Sequence, residues 1–160
     1  MKKVLIALDY DPTAQMVAET GYSLAKAMNA RIVLLHVISD PVYYSTLNYS
    51  PIMGFDGFNS IDTIQSETAD ELKKAAQDFL DQSKIFLGDD RIETRVSSGD
   101  FGDTILETAE TLNADLIVLG THSRRGLEKI LVGSVTEKIL HHSQIPLFIV
   151  PTRHLIKHKI

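Results

Sequence analysis

The chain contains no cysteine, and its apolar runs are short. The absence of cysteine excludes disulfide bonds, thiol catalysis and thiolate metal sites together. The first apolar run covers only the five residues Val4–Leu8 before Asp9. Such a run is too short for the hydrophobic part of a secretory signal or for a membrane span. A cytoplasmic location without a membrane partner is therefore expected.

Positive charge is also scarce, because 16 Lys and Arg face 21 Asp and Glu, for a formal net charge of -5. No clustered basic face can be read from the sequence, so no broad nucleic-acid surface is expected. The 160 residues are 44% hydrophobic and 23% charged, which is typical of a globular protein. This length predicts a single domain over residues 1–160.

Strand-like and helix-like segments alternate along the chain. Continuous runs rich in Val, Ile and Leu predict strands that are buried on both faces of a parallel sheet. These runs are Val4–Leu8, Ile32–Val37 and Leu116–Leu119. Apolar positions spaced three and four apart predict four helices, around residues 17–28, 72–86, 105–112 and 135–142. The order predicts an α/β fold of three layers, with helices on both faces of an open five-stranded parallel sheet.

Two further segments predict the edges of that sheet. Arg91–Ser98 alternates between apolar and polar residues, which indicates a strand with one wet face or edge. Ile145–Val150 is apolar throughout and is expected at the opposite edge, giving the strand order 3-2-1-4-5. A bare apolar edge favours pairing with another chain, so we expect a homodimer through Ile145–Val150. Pro146 lacks an N–H and should lie outside the paired register.

Local signals mark the ends of two helices and one long irregular segment. Asp11 and Pro12 form a start signal for the first helix, and Gly88 is placed to end the second. Residues 40–64 carry five of the eleven aromatic residues. Three interpretations stay open for them, namely a loop packed on its own domain, a ligand lid, or a subunit contact. Residues 152–160 are expected to form a polar tail.

Glycines in the second half of the chain follow a pattern that suits a phosphate-binding loop. A strand ends at Gly120, a long loop contains Gly126, and Gly133 precedes a helix. Ser134 and Glu137 have the spacing of a capping box, so Ser134 is expected to cap this helix. The amides of the first turn, in Val135 and Thr136, would then face outward as an anion site.

Three basic residues, Arg124, Arg125 and Lys129, add positive charge to the same loop. They could assist anion binding, or they could form an ordinary solvated cluster.

These segments resemble the universal stress protein family. Its nucleotide motif has a glycine, two residues, a glycine, nine residues, a glycine, and then Ser or Thr. Gly120, Gly133 and Ser134 match three of the four elements, and Ser123 stands at the second glycine. The segments LIALD, LLHV, SSGD and IPLFIVP also look like family segments, so the resemblance covers nearly the whole chain. If Ser123 needs a left-handed backbone, it costs about 1 kcal/mol relative to glycine.

The resemblance implies an adenine-nucleotide site at the carboxyl ends of the strands. Asp9 would lie beside the ribose and any bound Mg²⁺, Val37 would meet adenine through its main chain, and the loop backbone with Ser134 would hold the phosphates. From the residues alone, Asp9 could equally be a turn residue. The full set of expected binding residues is Asp9, Val37, Gly120, Thr121, His122, Ser123, Gly126, Gly133, Ser134, Val135 and Thr136.

The resemblance therefore implies a nucleotide-binding regulatory module of the stress response that binds ATP, ADP or AMP with little hydrolysis. Two alternatives stay open. One is a slow ATP hydrolase, for which Asp9, Glu128 and His122 are the candidate bases. The other is a dimeric family member that has lost nucleotide binding.

Overall fold

The computed structural model describes residues 1–10, 12–39, 69–121 and 133–152. The irregular segment 40–64, most of the 121–132 loop and the tail from residue 153 therefore lie outside the described residues. In chain order the elements are β1 (Lys3–Ala7), α1 (Ala14–Ala27), β2 (Arg31–Ile38), α2 (Ala69–Leu87), β3 (Glu93–Ser98), α3 (Phe101–Thr111), β4 (Leu116–Gly120), α4 (Ser134–His142) and β5 (Leu147–Val150).

The five strands form one parallel sheet in the order β3-β2-β1-β4-β5. This confirms both the predicted fold class and the predicted strand order. Strand β1 lies at the centre, where Ile6 pairs with Leu34 of β2 on one side and with Val118 of β4 on the other. The chain therefore runs outward from β1 in one direction and later returns to its other side, so the strand order reverses between β1 and β4.

Helices pack on both faces of this sheet and divide its core in two. Helices α1 and α2 cover the face that contains Val4 and Ile6, and α3 and α4 cover the face that contains Leu5. Successive residues of β1 point to opposite faces, and Val4, Leu5 and Ile6 are all completely buried. Burial on both sides explains why the central strands are continuous apolar runs rather than alternating ones.

Helix α1 approaches the sheet closely through Gly21. A Cβ atom at this position would lie 2.8 Å from Cδ1 of Ile6 and 3.1 Å from Cγ1 of Val118. The small residue therefore lets the helix lie against the two strands that flank the reversal of strand order.

The helix ends agree only in part with the predicted signals. Gly88 follows the last residue of α2 with φ +70°, a conformation that favours glycine, and its N–H donates to the carbonyl of Lys84. The predicted start of α1 was wrong. The helix begins at Ala14, because the carbonyl of Thr13 accepts the first intrahelical hydrogen bond from the N–H of Val17 (3.1 Å), and Pro12 precedes it.

Both edge strands are shorter than predicted. Strand β3 begins at Glu93 rather than Arg91, and β5 begins at Leu147 rather than Ile145. Pro146 directly precedes the strand, and its carbonyl accepts from the N–H of Ile117 at 3.0 Å. Phe148 of β5 is 37% exposed, so this edge carries apolar surface.

One residue of α2 is exposed although the predicted helical period places it on the buried face. The apolar period of Leu72, Ala76, Phe79 and Ser83 predicts that Phe86 also lies on the buried face of α2, but Phe86 is 45% exposed in the last turn, beyond the last buried residue, Ser83. Among the helices of the described residues, none is long and apolar enough to cross a membrane.

Candidate functional site

A cleft opens at the carboxyl ends of β1, β2 and β4, where the strand order reverses. Open parallel sheets bind ligands at this position because the loops diverge there and leave a crevice. The first turn of α4 forms one wall, and the first turns of α1 and α3 contribute to the others.

The structure brings most of the expected binding residues together in this cleft. Those that line it are Asp9, Val37, Gly120, Gly133, Ser134, Val135 and Thr136. Thr121 is described but is not among the lining residues. His122, Ser123 and Gly126 lie outside the described residues, as do the basic residues of the same loop.

The start of α4 differs from the predicted capping box. Ser134 is the first helical residue, and Gly133 is the N-cap in an extended conformation, with φ −68° and ψ 161°. The predicted cap was wrong because the carbonyl of Gly133 already accepts the N–H of Glu137 at 2.9 Å, which begins the helix one residue earlier. Gly133 has no side chain of its own with which to cap this end.

With Gly133 instead of Ser134 as the N-cap, the candidate anion site contains three backbone amides instead of two. The amides of Ser134, Val135 and Thr136 precede the first intrahelical donor, Glu137, so they have no intrahelical carbonyl to bond. All three of these residues line the cleft. Three such amides at the positive end of a helix form an arrangement that suits a phosphate group.

Two threonines fix the position of that helix start. The hydroxyl of Thr136 donates to the carbonyl of Gly120 at 2.9 Å, and the N–H of Gly133 donates to the carbonyl of Thr121 at 2.7 Å. Thr121 also bonds toward β5, since its N–H donates to the carbonyl of Val150 and its hydroxyl lies 3.1 Å from that of Thr152. These backbone and side-chain hydrogen bonds hold β4, α4 and β5 together.

Asp9 supplies the acidic group of the cleft and lies just beyond β1. Its side chain is partly buried, and its Oδ1 accepts the N–H of Tyr10 at 2.8 Å. No group of three or more potential metal ligands occurs among the described residues. A single carboxylate suits Mg²⁺ only together with ligand phosphates and water, which is the usual arrangement at nucleotide sites.

Sequence reasoning missed the apolar part of the cleft. The missed lining residues are Ala7, Leu8, Thr13, Ala14, Val17, Leu35, Phe101, Ile105 and Leu119. The rule that placed Asp9 and Val37 at strand ends would also have indicated Phe101, which follows β3 by three residues. Ala7, Leu8, Leu35 and Leu119 lie in or directly after the same strands. Thr13, Ala14, Val17 and Ile105 line the cleft only because α1 and α3 pack over the sheet, which a local sequence pattern does not show.

A buried histidine holds the end of β1 on the sheet face that α1 and α2 cover. His36 is 1% exposed, and its Nδ1–H donates to the carbonyl of Leu8 at 2.8 Å, immediately before Asp9. Its ring stacks against Tyr10, with centroids 4.0 Å apart. Nε2 is buried without a hydrogen-bond partner among the described residues. Burial lowers the pKa of His36 to about 4, because a charged ring would lose its hydration there.

This pKa predicts a specific loss of stability in mild acid. The unfolded chain binds the His36 proton near pH 6.5, whereas the folded protein binds it only near pH 4. The free energy of unfolding is therefore not reduced by His36 above pH 6.5, and it falls as the pH drops toward 4. Between pH 7 and pH 5, wild type should lose about 2 kcal/mol more unfolding free energy than His36→Gln, which does not titrate. Urea unfolding at both pH values measures the difference, and parallel losses in the two proteins would contradict it.

The sheet order and the position of the cleft define an open α/β protein with a ligand site at the reversal of strand order. The family model described as the universal stress protein family matches residues 1–151. The chain therefore belongs to the universal stress protein family. Universal stress protein A homolog 1 of Coxiella burnetii is 36% identical to it over 88% of this chain and 89% of that protein.

Solved structures of the family share the fold. Universal stress protein MJ0577 of Methanocaldococcus jannaschii is 26% identical over 96% of each chain. Its solved structure gives a TM-score of 0.70 at 24% identity and covers 94% of this chain and 95% of its own. A universal stress protein in complex with cAMP gives 0.61 at 20% identity, over 94% and 97% of the two chains.

Proposed function

We propose that this protein is a regulatory module that binds an adenine nucleotide in the cleft between Asp9, Val37 and the start of α4. The observation that carries the proposal is the set of three first-turn amides, at Ser134, Val135 and Thr136, beside an apolar cleft. Phosphates would occupy the amides, and the base would occupy the apolar part. One structural relative is a complex with cAMP, an adenine nucleotide, which supports the choice of ligand class.

ATP, ADP and AMP are the expected ligands, with Mg²⁺ bound between Asp9 and the phosphates. The apolar lining from Leu35, Val37 and Ile105 suits a base better than it suits water. Nucleotide released from freshly purified, heat-denatured protein and separated by chromatography tests this assignment. Release of adenine nucleotide supports the assignment. If no nucleotide is released and added nucleotide does not bind, the protein is a family member with an unused cleft.

Hydrolysis should be slow or undetectable. Among the described residues that line the cleft, only Asp9 has a titratable side chain, and its Oδ1 already accepts the N–H of Tyr10. Oriented amides neutralise phosphate charge but do not activate water. Phosphate release should therefore stay well below about 1 per second, the lower end of common enzyme turnover.

Asp9 is also the observation that favours the second candidate, a slow ATP hydrolase. Asp9→Asn tests the hydrolase when phosphate release is measured at saturating ATP, because a hydrolase that uses Asp9 as its base would lose turnover even with the site filled. Turnover near 1 per second in the wild type, abolished in Asp9→Asn, would establish the hydrolase instead.

A homodimer through β5 completes the proposal. Strand β5 pairs only with β4 among the described residues, and Leu147–Val150 carries no charge that would oppose pairing. Antiparallel pairing with a second copy uses the same patch on both subunits and covers Phe148. Thr121 bonds both to Val150 and to Gly133, so the dimer strand and the nucleotide site share one hydrogen-bonded junction.

A further inference from the structure

Phe101 is an aromatic residue among those that line the cleft. Phe101 is the first residue of α3, is partly buried, and packs against the core that α3 and α4 share. It follows β3, whose register places Ser97 beside Val37 of β2. Phe101 therefore lies at the β2–β3 side of the cleft, whereas the start of α4 is bonded to the end of β4.

The position of Phe101 is fixed by polar contacts on both sides of it. The side chain of Asp100 caps α3 by accepting the N–H of Asp103 at 3.1 Å. The ammonium group of Lys138, on α4, donates to Asp100 at 2.9 Å and lies 3.0 Å from Asp103. Hydrogen bonding to Lys138 is the main reason that the pKa of Asp100 lies below its usual range.

Lys138 therefore ties together the two helices that carry the two ends of the cleft. It lies one turn after Ser134 on α4, whose first-turn amides form the anion site, and its partners flank Phe101 on α3. The methylene chain of Lys138 also covers Gly102, where a Cβ atom would lie 2.8 Å from its Cδ. Direct contacts therefore hold the start of α3, which carries Phe101, against α4, which carries the amides.

The two ends of the cleft differ in chemistry and are separated by β1. Strands β2 and β4 flank β1, so their ends are two strand spacings, about 10 Å, apart. One end presents amides, and the other presents Phe101 with Val37 and Ile105. A bare phosphate would make no contact with the aromatic end, so the arrangement selects a ligand with a flat apolar group at one end and negative charge at the other.

We infer that Phe101 is a specificity-determining residue that contacts the base of the bound nucleotide and favours a purine over a smaller pyrimidine. The inference rests on the proposed nucleotide function. Base–aromatic contacts are worth about 1–3 kcal/mol by alanine substitution, and a larger ring system gains more contact area. Removing the ring should therefore weaken ATP binding by about tenfold and UTP binding by less.

Titration calorimetry of ATP and UTP against Phe101→Ala and Phe101→Tyr tests this inference. Phe101→Tyr keeps the aromatic face and should bind ATP as wild type does. Phe86→Ala is the matched control, because it removes an exposed phenylalanine from α2 that does not line the cleft. It should change neither affinity. The ratio of ATP to UTP affinity is the decisive readout, because a general disturbance of α3 would weaken both nucleotides equally.

The possible outcomes separate this inference from the proposed function. The inference is supported if wild type binds ATP and Phe101→Ala binds ATP about tenfold more weakly, with a smaller ratio of ATP to UTP affinity. Wild-type binding with unchanged affinity in Phe101→Ala overturns the inference alone, as do equal losses for both nucleotides. Wild type that binds neither nucleotide overturns the proposed function and this inference with it.

Discussion

Gly133→Val should weaken ATP binding by about a hundredfold or more. Gly133 lines the cleft as the N-cap of α4, so branched carbons there would occupy the space that a phosphate oxygen needs beside the first-turn amides. Loss of two charge-assisted hydrogen bonds, at about 1.5–3 kcal/mol each, accounts for the factor. Titration calorimetry of the variant and the wild type measures it.

The variant should remain folded, because Gly133 has φ −68° and ψ 161°, a conformation that valine adopts without strain. Ser23→Val is the matched control, since it introduces the same side chain at an exposed position of α1 outside the cleft. It should bind ATP normally. Ser123→Gly, which restores the second glycine of the family motif, should bind equally or more tightly. Normal ATP binding by Gly133→Val would show that phosphate does not lie at this helix.

Phe148→Asp should convert the proposed dimer into monomers at micromolar concentration. Phe148 is 37% exposed on the edge strand and would be covered by the second copy. A carboxylate buried there without a partner costs about 3 kcal/mol, roughly a hundredfold in the dimer dissociation constant. Light scattering should give twice the 17.8 kDa chain mass for wild type and the single chain mass for the variant.

Phe86→Asp provides the control for this experiment. It places the same charge at an exposed phenylalanine on α2, which is not part of the edge strand, and the dimer should persist. A stable monomer of the wild-type protein at micromolar concentration would contradict the proposed interface, and a Phe148→Asp protein that remained dimeric would locate the contact elsewhere.

The sheet could be predicted because its signals are local and agree with one another. Runs such as Val4–Leu8 have no polar residue because both faces of the strand are covered, and Arg91–Ser98 alternates because β3 forms an edge. Strand and helix ends were predicted less well. The alternation of β3 continues back to Ile92, which is buried although it precedes the strand, so pattern alone could not mark where pairing begins.

The candidate site was predicted on its polar side and missed on its apolar side. Gly120 and Gly133 stand out in the sequence because glycine near a helix start permits close approach of a ligand. Ser134 was misassigned because Ser followed by Glu three residues later resembles a cap, whereas the carbonyl of Gly133 begins the helix. Phe101 was missed although it follows the end of β3 by three residues, and the ion pairs of Lys138 that hold its helix against α4 join segments that are distant in sequence.

Titration of nucleotide-free wild-type protein with ATP, with magnesium present and absent, tests the central claim most directly. The account predicts saturable binding of one ATP per chain, shared in weaker form by ADP and AMP because they offer fewer phosphate oxygens to the amides of α4. Binding of cAMP in the same titration would show how far a cyclic phosphate can replace the linear chain. No heat of binding at millimolar ATP, from a protein that unfolds cooperatively, would contradict the claim.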